Sequence, residues 1–315
     1  MKFSLSSSLI LKSDFGNVYY DVYEPESSNG YTIQIAHGMI EHKGRYKWLC
    51  QRLVSEGYRV YINDHRGHGE SIGGGVFLGE MGKNGFEKAV EDMKNLNNHI
   101  QATHPQTQII LLGHSMGSLL SRRFLQLYGD KIVALILSGT PSPNSMALIG
   151  AKLCSFFNSF RADSPFKAWG KNLIHQISLG NFNRKFNHLH PYSKSHWICS
   201  DLNIIKEYDN DKKCHFTFSL NSFKNLFYGL RQVFSSYPKP LKNSHLPILF
   251  LSGEDDACGN FGKGVRKAYE HLCAQGFSNV SLKLYPSCRH EVFNEISKEQ
   301  YLQDTLEWLR RWELR

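Results

Sequence analysis

The feature that most limits what this chain can become is an alternation. Seven short runs rich in β-branched and aromatic residues recur along it: NVYYDVY (17–23), YTIQIA (31–36), YRVYIN (58–63), QIILLG (108–113), IVALILS (132–138), PILFLSG (247–253) and VSLKLYP (280–286). They have the length of strands and are bounded by Gly, Pro or Asn. Helical patterns fall between them, at about 45–56, 85–101, 117–128, 261–275 and 298–312. In the last of these Leu306, Trp308, Leu309 and Trp312 lie on or near one face. Strands that take turns with helices predict an α/β fold, a mostly parallel, doubly wound sheet covered by helices on both faces.

The alternation stops near Pro141 and resumes at Pro247. The residues between read as helix and loop, as in SPNSMALIGAKLCSFF and SLNSFKNLFYGLRQVF, with no buried strand. The expected organisation is a core built from 1–140 and 241–315, with a helical cap, or lid, inserted at 141–240. Such an insertion sits over the carboxyl ends of the strands, where ligands bind in open α/β sheets. Of the net charge of +9, +8 lies in 141–240, where thirteen Lys and Arg meet five Asp and Glu. The segment is also aromatic, with Phe156, Phe157, Phe160, Phe166 and Trp169 close together. No basic run or stacking-sheet signature accompanies this charge, which argues against nucleic acid. Attraction to an anionic lipid surface fits better, beside the plainer reading of an aromatic core under a charged outer face. Seven scattered cysteines, with no CxxC pair and no His at zinc spacing, predict free thiols in a reducing compartment. The N-terminal stretch MKFSLSSSLILKSDFG is too broken by serines for a secretory signal, and no run approaches the roughly 18 apolar residues of a membrane span. A cytoplasmic protein, with peripheral membrane contact at most, is the expectation.

Two GxSxG pentapeptides compete for attention, one centred on Ser71 in GHGESIGGG and one on Ser115 in GHSMG. Five letters decide little. A nucleophilic serine of this type stands on a strained turn between a buried strand and a helix, with small neighbours that let the two approach. Ser115 has that setting: QIILLG precedes it, and MGSLLSRRFLQLYG follows as a helix that Gly129 is expected to close. Ser71 has neither, because its strand ended near Asn63 and GGGVFLG cannot nucleate a helix.

A serine hydroxyl needs a general base, and the base needs orienting. In chains of this layout an acid and then a histidine follow the serine, each in a loop after a strand. EDDACGN follows PILFLSG, leaving Glu254, Asp255 and Asp256 as candidate acids. SCRHEVFNE follows VSLKLYP and supplies His290, whereas His271 falls inside a helical run and reads as a surface residue. An oxyanion would need two backbone N–H donors: Met116, directly after Ser115, and Met39, in the loop after YTIQIA. Asp64, His65, Arg66 and His68 lack metal spacing and read as side chains that bond their own loop. No metal or cofactor is expected.

The motifs HGMIEHKGRY (37–46), INDHRGHGES (62–71), LLGHSMG (111–117), SGEDDAC (252–258) and RHEVFNE (289–295) together resemble the monoacylglycerol lipase and lysophospholipase branch of the α/β hydrolases, often described as serine-aminopeptidase-like. NFNRKF (181–186) and SHWICSD (195–201) resemble its bacterial members. The resemblance spans nearly the whole chain. It implies an α/β-hydrolase fold with a lid, a triad of Ser115, Asp256 and His290, and oxyanion donors at Met39 and Met116. His37 and Gly38 would shape the oxyanion loop. It implies esters of single-acyl-chain lipids as substrates; a short-chain carboxylesterase, an acyl thioesterase or an aminopeptidase on the same fold stays open as an alternative for this chain, as does, from a different class, a catalytically silent hydrolase-fold binding protein. Ser118 departs from the pattern, standing where a second glycine is common, and the lid is too variable to carry substrate choice over. Cys258 and Cys288 read as passengers that flank the acid and the base.

Overall fold

The computed structural model describes residues 3–74 and 77–314. Gly75 and Val76, part of the GGGVFLG stretch, lie outside the described residues. Eight strands form one sheet in the order β1-β2-β4-β3-β5-β6-β7-β8. They are β1 (Phe3–Ser13), β2 (Gly16–Pro25), β3 (Tyr31–Ala36), β4 (Arg59–Asn63), β5 (Gln108–His114), β6 (Ala134–Ser138), β7 (Ile248–Gly253) and β8 (Val280–Tyr285). β1 and β2 pair antiparallel, and β2 pairs antiparallel with β4. From β4 to β8 every pairing is parallel. The mostly parallel α/β sheet expected from the alternation is therefore the fold.

β1 was not among the strands expected from sequence. It is an edge strand whose residues are largely exposed, and its register slips between Ser6 and Leu9, so neither alternation nor an apolar run marks it.

The central strands are buried on both faces, which is why they read as continuous apolar runs. Period-two alternation divides their side chains between two cores. Ile109, Leu111, Leu135, Leu137, Ile248 and Phe250 face α2 (Gly85–Thr103), α3 (Met116–Tyr128) and α8 (Lys263–Gln275). Ile110, Leu112, Ala134, Ile136, Leu249 and Leu251 face α1 (Lys47–Ser55) and α9 (Lys298–Arg311). Gly129 follows α3 directly, yet its φ of −61° is helical, so the chain turns on through residues 129–131 instead of closing with a left-handed cap.

Between β6 and β7 lie α4 (Ala147–Asn158), α5 (Pro165–His175), α6 (Leu202–Asn210) and α7 (Leu220–Val233), with no strand among them. These helices have no core of their own. Cys154, Phe157, Ile174, Phe223, Leu230 and Val233 belong to the hydrophobic cluster that also holds α2 and α3. Arg122 of α3, fully buried, donates from its guanidinium to the Val233 carbonyl at the carboxyl end of α7, 3.1 Å away. No helix among the described residues is long and apolar enough to cross a membrane.

Candidate active site

β3 lies between β4 and β5, so the chain leaves β3 toward one edge of the sheet and leaves β5 toward the other. The loops after β3 and β5 thus diverge and open a crevice at the strand carboxyl ends. Ser115 stands in that crevice. β5 ends at His114 and α3 begins at Met116, leaving Ser115 alone in the turn at φ 53° and ψ −118°. Such a backbone costs on the order of 1–3 kcal/mol. Its N–H donates to Ser138 O at the end of β6, 2.9 Å away. A Cβ on Gly117 would stand 2.0 Å from the Ala36 carbonyl oxygen, so only glycine lets the start of α3 close on β3. Ser118, buried where the resemblance leads one to expect a second glycine, donates its hydroxyl to the Ser115 carbonyl at 2.7 Å. Ser71 is elsewhere and fully buried, with its Oγ accepting the Tyr19 N–H at 2.9 Å.

Of the three candidate acids only Asp256 turns inward. Glu254 is exposed, and Asp255 pairs at the surface with Lys185 at 2.6 Å. Asp256 Oδ1 accepts from His290 Nδ1 at 3.0 Å and from the Cys258 N–H at 2.8 Å, while Oδ2 accepts from Ser252 Oγ at 3.2 Å. Burial alone would raise its pKa, but the His290 ring and these donors outweigh burial and hold it below the ordinary carboxylate value. Burial likewise opposes a charged His290. The Asp256 carboxylate, its hydrogen bond, and more distant Glu291 and Glu41 outweigh that too, and the His290 pKa is raised. A Cβ on Gly253, the last residue of β7, would stand 1.9 Å from the Cys288 carbonyl oxygen. That close passage brings the two loops together.

With Nδ1 committed to Asp256, His290 offers Nε2 to a cavity of about 530 Å³. Ser115, Met39, Met116 and His290 all line it. Among the described residues neither the Met39 N–H, in the turn after β3, nor the Met116 N–H, at the start of α3, donates to a backbone carbonyl of a turn, loop or cap. Cys258 also lines the cavity and Cys288 is buried. The backbone N–H of Cys258 fixes Asp256, a bond that does not involve the thiol. His271 is half-buried, with its Nδ1 3.2 Å from the Arg122 guanidinium, and it does not line the cavity.

Several supporting groups escape a reading of the sequence. Glu41 accepts from the Gly38 N–H and from Tyr46 OH, the latter at 2.8 Å. Half-buried Arg45 bridges Glu41, at 3.0 Å, and Glu291, at 2.5 and 2.8 Å, and so ties the loop after β3 to the residue after His290. Glu41 and Glu291 stand in two of the quoted motifs, but nothing in either motif pairs them. His37 Nε2 accepts the His65 N–H at 2.9 Å, which leaves Nδ1 protonated to donate to Gly38 O at 2.8 Å. Burial pushes its pKa down to about 3, so the ring is neutral.

The expectation that the loop 64–71 bonds itself holds only in part: Asp64 accepts the Glu70 N–H at 2.8 Å and His68 Nδ1 lies 3.1 Å from Arg66 O, but Asp64 also accepts the Lys43 N–H at 2.8 Å, and Arg66 pairs outside the loop with Asp92 and Asp14, each at 2.8 Å. His65 departs from that expectation, since among the described residues neither ring nitrogen has a partner and the ring packs on His37 at 4.3 Å. The donor atoms of His42, Asp211 and Cys214 lie within 4.8 Å of one another, a grouping the sequence does not suggest. His42 is already engaged through both nitrogens, by Asp211 at 2.7 Å and the Gly44 N–H at 3.2 Å.

Fold and site together define a serine hydrolase of the α/β-hydrolase class, an enzyme that cleaves esters. Comparison with known proteins narrows this. The chain belongs to the family described as serine aminopeptidase, S33, whose model matches residues 28–297. It is 28% identical over 292 residues to the monoacylglycerol lipase of Mycolicibacterium smegmatis, covering 93% of this chain and 92% of that one. It is 24% identical over 295 residues to the monoglyceride lipase of Rattus norvegicus, covering 91% and 84%. A thermostable carboxyl esterase from Bacillus coagulans shares the fold, with a TM-score of 0.81 at 23% identity over 97% of both chains.

Proposed function

We propose that this enzyme hydrolyses carboxylic esters of lipids with one acyl chain, monoacylglycerol or lysophospholipid, through an acyl-enzyme on Ser115. The observation that carries the proposal is the 3.0 Å bond between His290 and Asp256 beside the cavity that Ser115 also lines. Ser115 Oγ attacks the ester carbonyl while His290 Nε2 takes its proton, and Asp256 holds the ring in the right tautomer. The Met39 and Met116 N–H groups stabilise the oxyanion, with Met116 at the positive end of α3. The imidazolium gives its proton to the departing alcohol, and water then releases the fatty acid by the same route.

The lining supports an acyl chain. Ile149, Leu153, Ile174, Leu226, Phe227 and Leu230 make an apolar wall, and about 530 Å³ is room for a single chain rather than several. The carboxylates that line the cavity, Glu41 and Glu291, both pair with Arg45, and the Tyr46 hydroxyl and the Asn294 amide donate to them as well, so among the described residues neither is an unpartnered acceptor for a peptide α-amine. This favours esters over the aminopeptidase chemistry in the family description. In this reading residues 141–240 act as the cap. Its exposed Phe156, Phe166 and Trp169, set among Lys152, Arg161 and Lys167, provide a peripheral contact with an anionic lipid surface.

Covalent labelling by a fluorophosphonate probe tests the nucleophile, with loss expected in Ser115→Ala and retention in Ser71→Ala. An unlabelled wild type would sink the proposal. A panel of p-nitrophenyl esters from acetyl to palmitoyl, run beside monoacylglycerol and lysophosphatidylcholine, tests the substrate class.

A further inference from the structure

Resting on the reading of His290 as general acid and base, we propose that Trp197 is a positioning residue for His290, a cap side chain against which the imidazole is held while it protonates the leaving alcohol. Two rings touch the imidazole. His114, fixed at the end of β5, lies 4.7 Å away, and Trp197 lies 4.9 Å away with its plane tilted by 39°. Trp197 is half-buried, lines the cavity, and is backed by Phe182 at 5.0 Å.

The chain on either side of Trp197 is bonded to the chain on either side of His290. Glu291 N–H donates to Ile198 O at 2.7 Å, and the Arg289 guanidinium donates to both His196 O and Cys199 O at 2.7 Å. Glu295 accepts from the Ser200 N–H at 3.1 Å, from the Ser200 hydroxyl, and from the Arg289 N–H at 2.8 Å. Within the cap, Asn183 Oδ1 accepts the Trp197 N–H at 3.1 Å, and Asp209 holds the Ser193 and Ser195 hydroxyls at 2.6 and 2.5 Å. A cap that only covered an acyl chain would not need these bonds to the histidine loop. They fix the indole relative to the imidazole.

The chemistry says what such fixing is for. Removing the serine proton and protonating the leaving oxygen require Nε2 to address two different atoms in succession. As the C–O bond of an alkyl ester breaks, the electron pair goes to an alkoxide that must receive the Nε2 proton. p-Nitrophenolate is a stable anion and departs without it. A loosened imidazole therefore penalises glyceryl esters more than p-nitrophenyl esters of the same acyl chain, a difference that a purely structural tryptophan would not produce.

The experiment compares kcat/KM, which reports acylation, for monolauroylglycerol and p-nitrophenyl laurate in wild type, Trp197→Ala and Trp197→Phe. Misplacing a catalytic group by about 1 Å costs on the order of 10²-fold. Trp197→Ala is expected to lose about that much on the glyceryl ester and less than about threefold on the activated ester, and Trp197→Phe to recover most of the loss. Fluorophosphonate labelling of Trp197→Ala to the wild-type stoichiometry, whatever its rate, verifies a folded site. Should the alanine variant fail to fold, Trp197→Leu takes its place in the same ratio. Equal losses on both esters, or none on either, overturn the positioning role. Failure of the underlying reading is distinct, and would appear as an unlabelled wild type or a labelled Ser115→Ala.

Discussion

In the proposed mechanism His290 has to be neutral before attack and charged after it. Its partners favour the charged form despite burial, so its pKa lies above the ordinary histidine value of about 6.5. The base is available only above that pKa, and activity is lost as pH falls through it. The kcat/KM profile is expected to drop about tenfold per pH unit below a midpoint higher than about 6.5. Asp256, with its pKa lowered, stays ionised across this window. His114, which burial holds at about 4, stays neutral and adds no second step. A midpoint at or below about 6 would contradict the Asp256 pairing as the dominant influence.

At the scale of elements, the meeting of β7 with the loop after β8 is fixed by the absence of one side chain. Gly253→Ala puts a methyl 1.9 Å from the Cys288 carbonyl oxygen, and backbone has to yield two residues from His290. Overpacking of this kind costs about 1–3 kcal/mol of stability, while kcat/KM is expected to fall about 10²-fold. Thermal melts and ester turnover measure the two effects, and full activity would mean that the loop gives way harmlessly.

Elements such as β5, Ser115 and α3 were legible in sequence because their signals are local: an apolar run, a small-residue turn and a helix start in unbroken succession. His290 and the choice among Glu254, Asp255 and Asp256 were half legible, since loop order names candidates but only packing turns one carboxylate inward. Arg45 and Trp197 were not, because each acts on residues far along the chain, Glu291 and His290, and no spacing rule links them. β1 was missed for the opposite reason, as an exposed edge strand has no buried face to write into its sequence.

For the molecule as a whole, the charge imbalance and a group of exposed aromatic residues coincide on residues 141–240, the proposed cap. Phe156 and Trp169 are 53% and 54% exposed, on a segment that carries most of the net positive charge. Sedimentation with phosphatidylglycerol vesicles is expected to exceed that with phosphatidylcholine vesicles. It should weaken as salt shortens the screening length from about 10 Å at 0.1 M toward 3 Å at 1 M. Phe166→Ser with Trp169→Ser should reduce binding to both vesicle types, and salt-independent binding would argue against the charge.

The sharing of one hydrophobic cluster by α7, α2 and α3, with Arg122 reaching across to the end of α7, bears on how this architecture can be altered. It makes the inserted segment a poor cassette. A graft exchanged at the sheet boundaries would strip the helix that follows Ser115 of part of its packing and take from the buried Arg122 guanidinium its carbonyl acceptor at Val233. Transplants that aim to change specificity would do better to keep Leu220–Val233 with the host and exchange the chain before it.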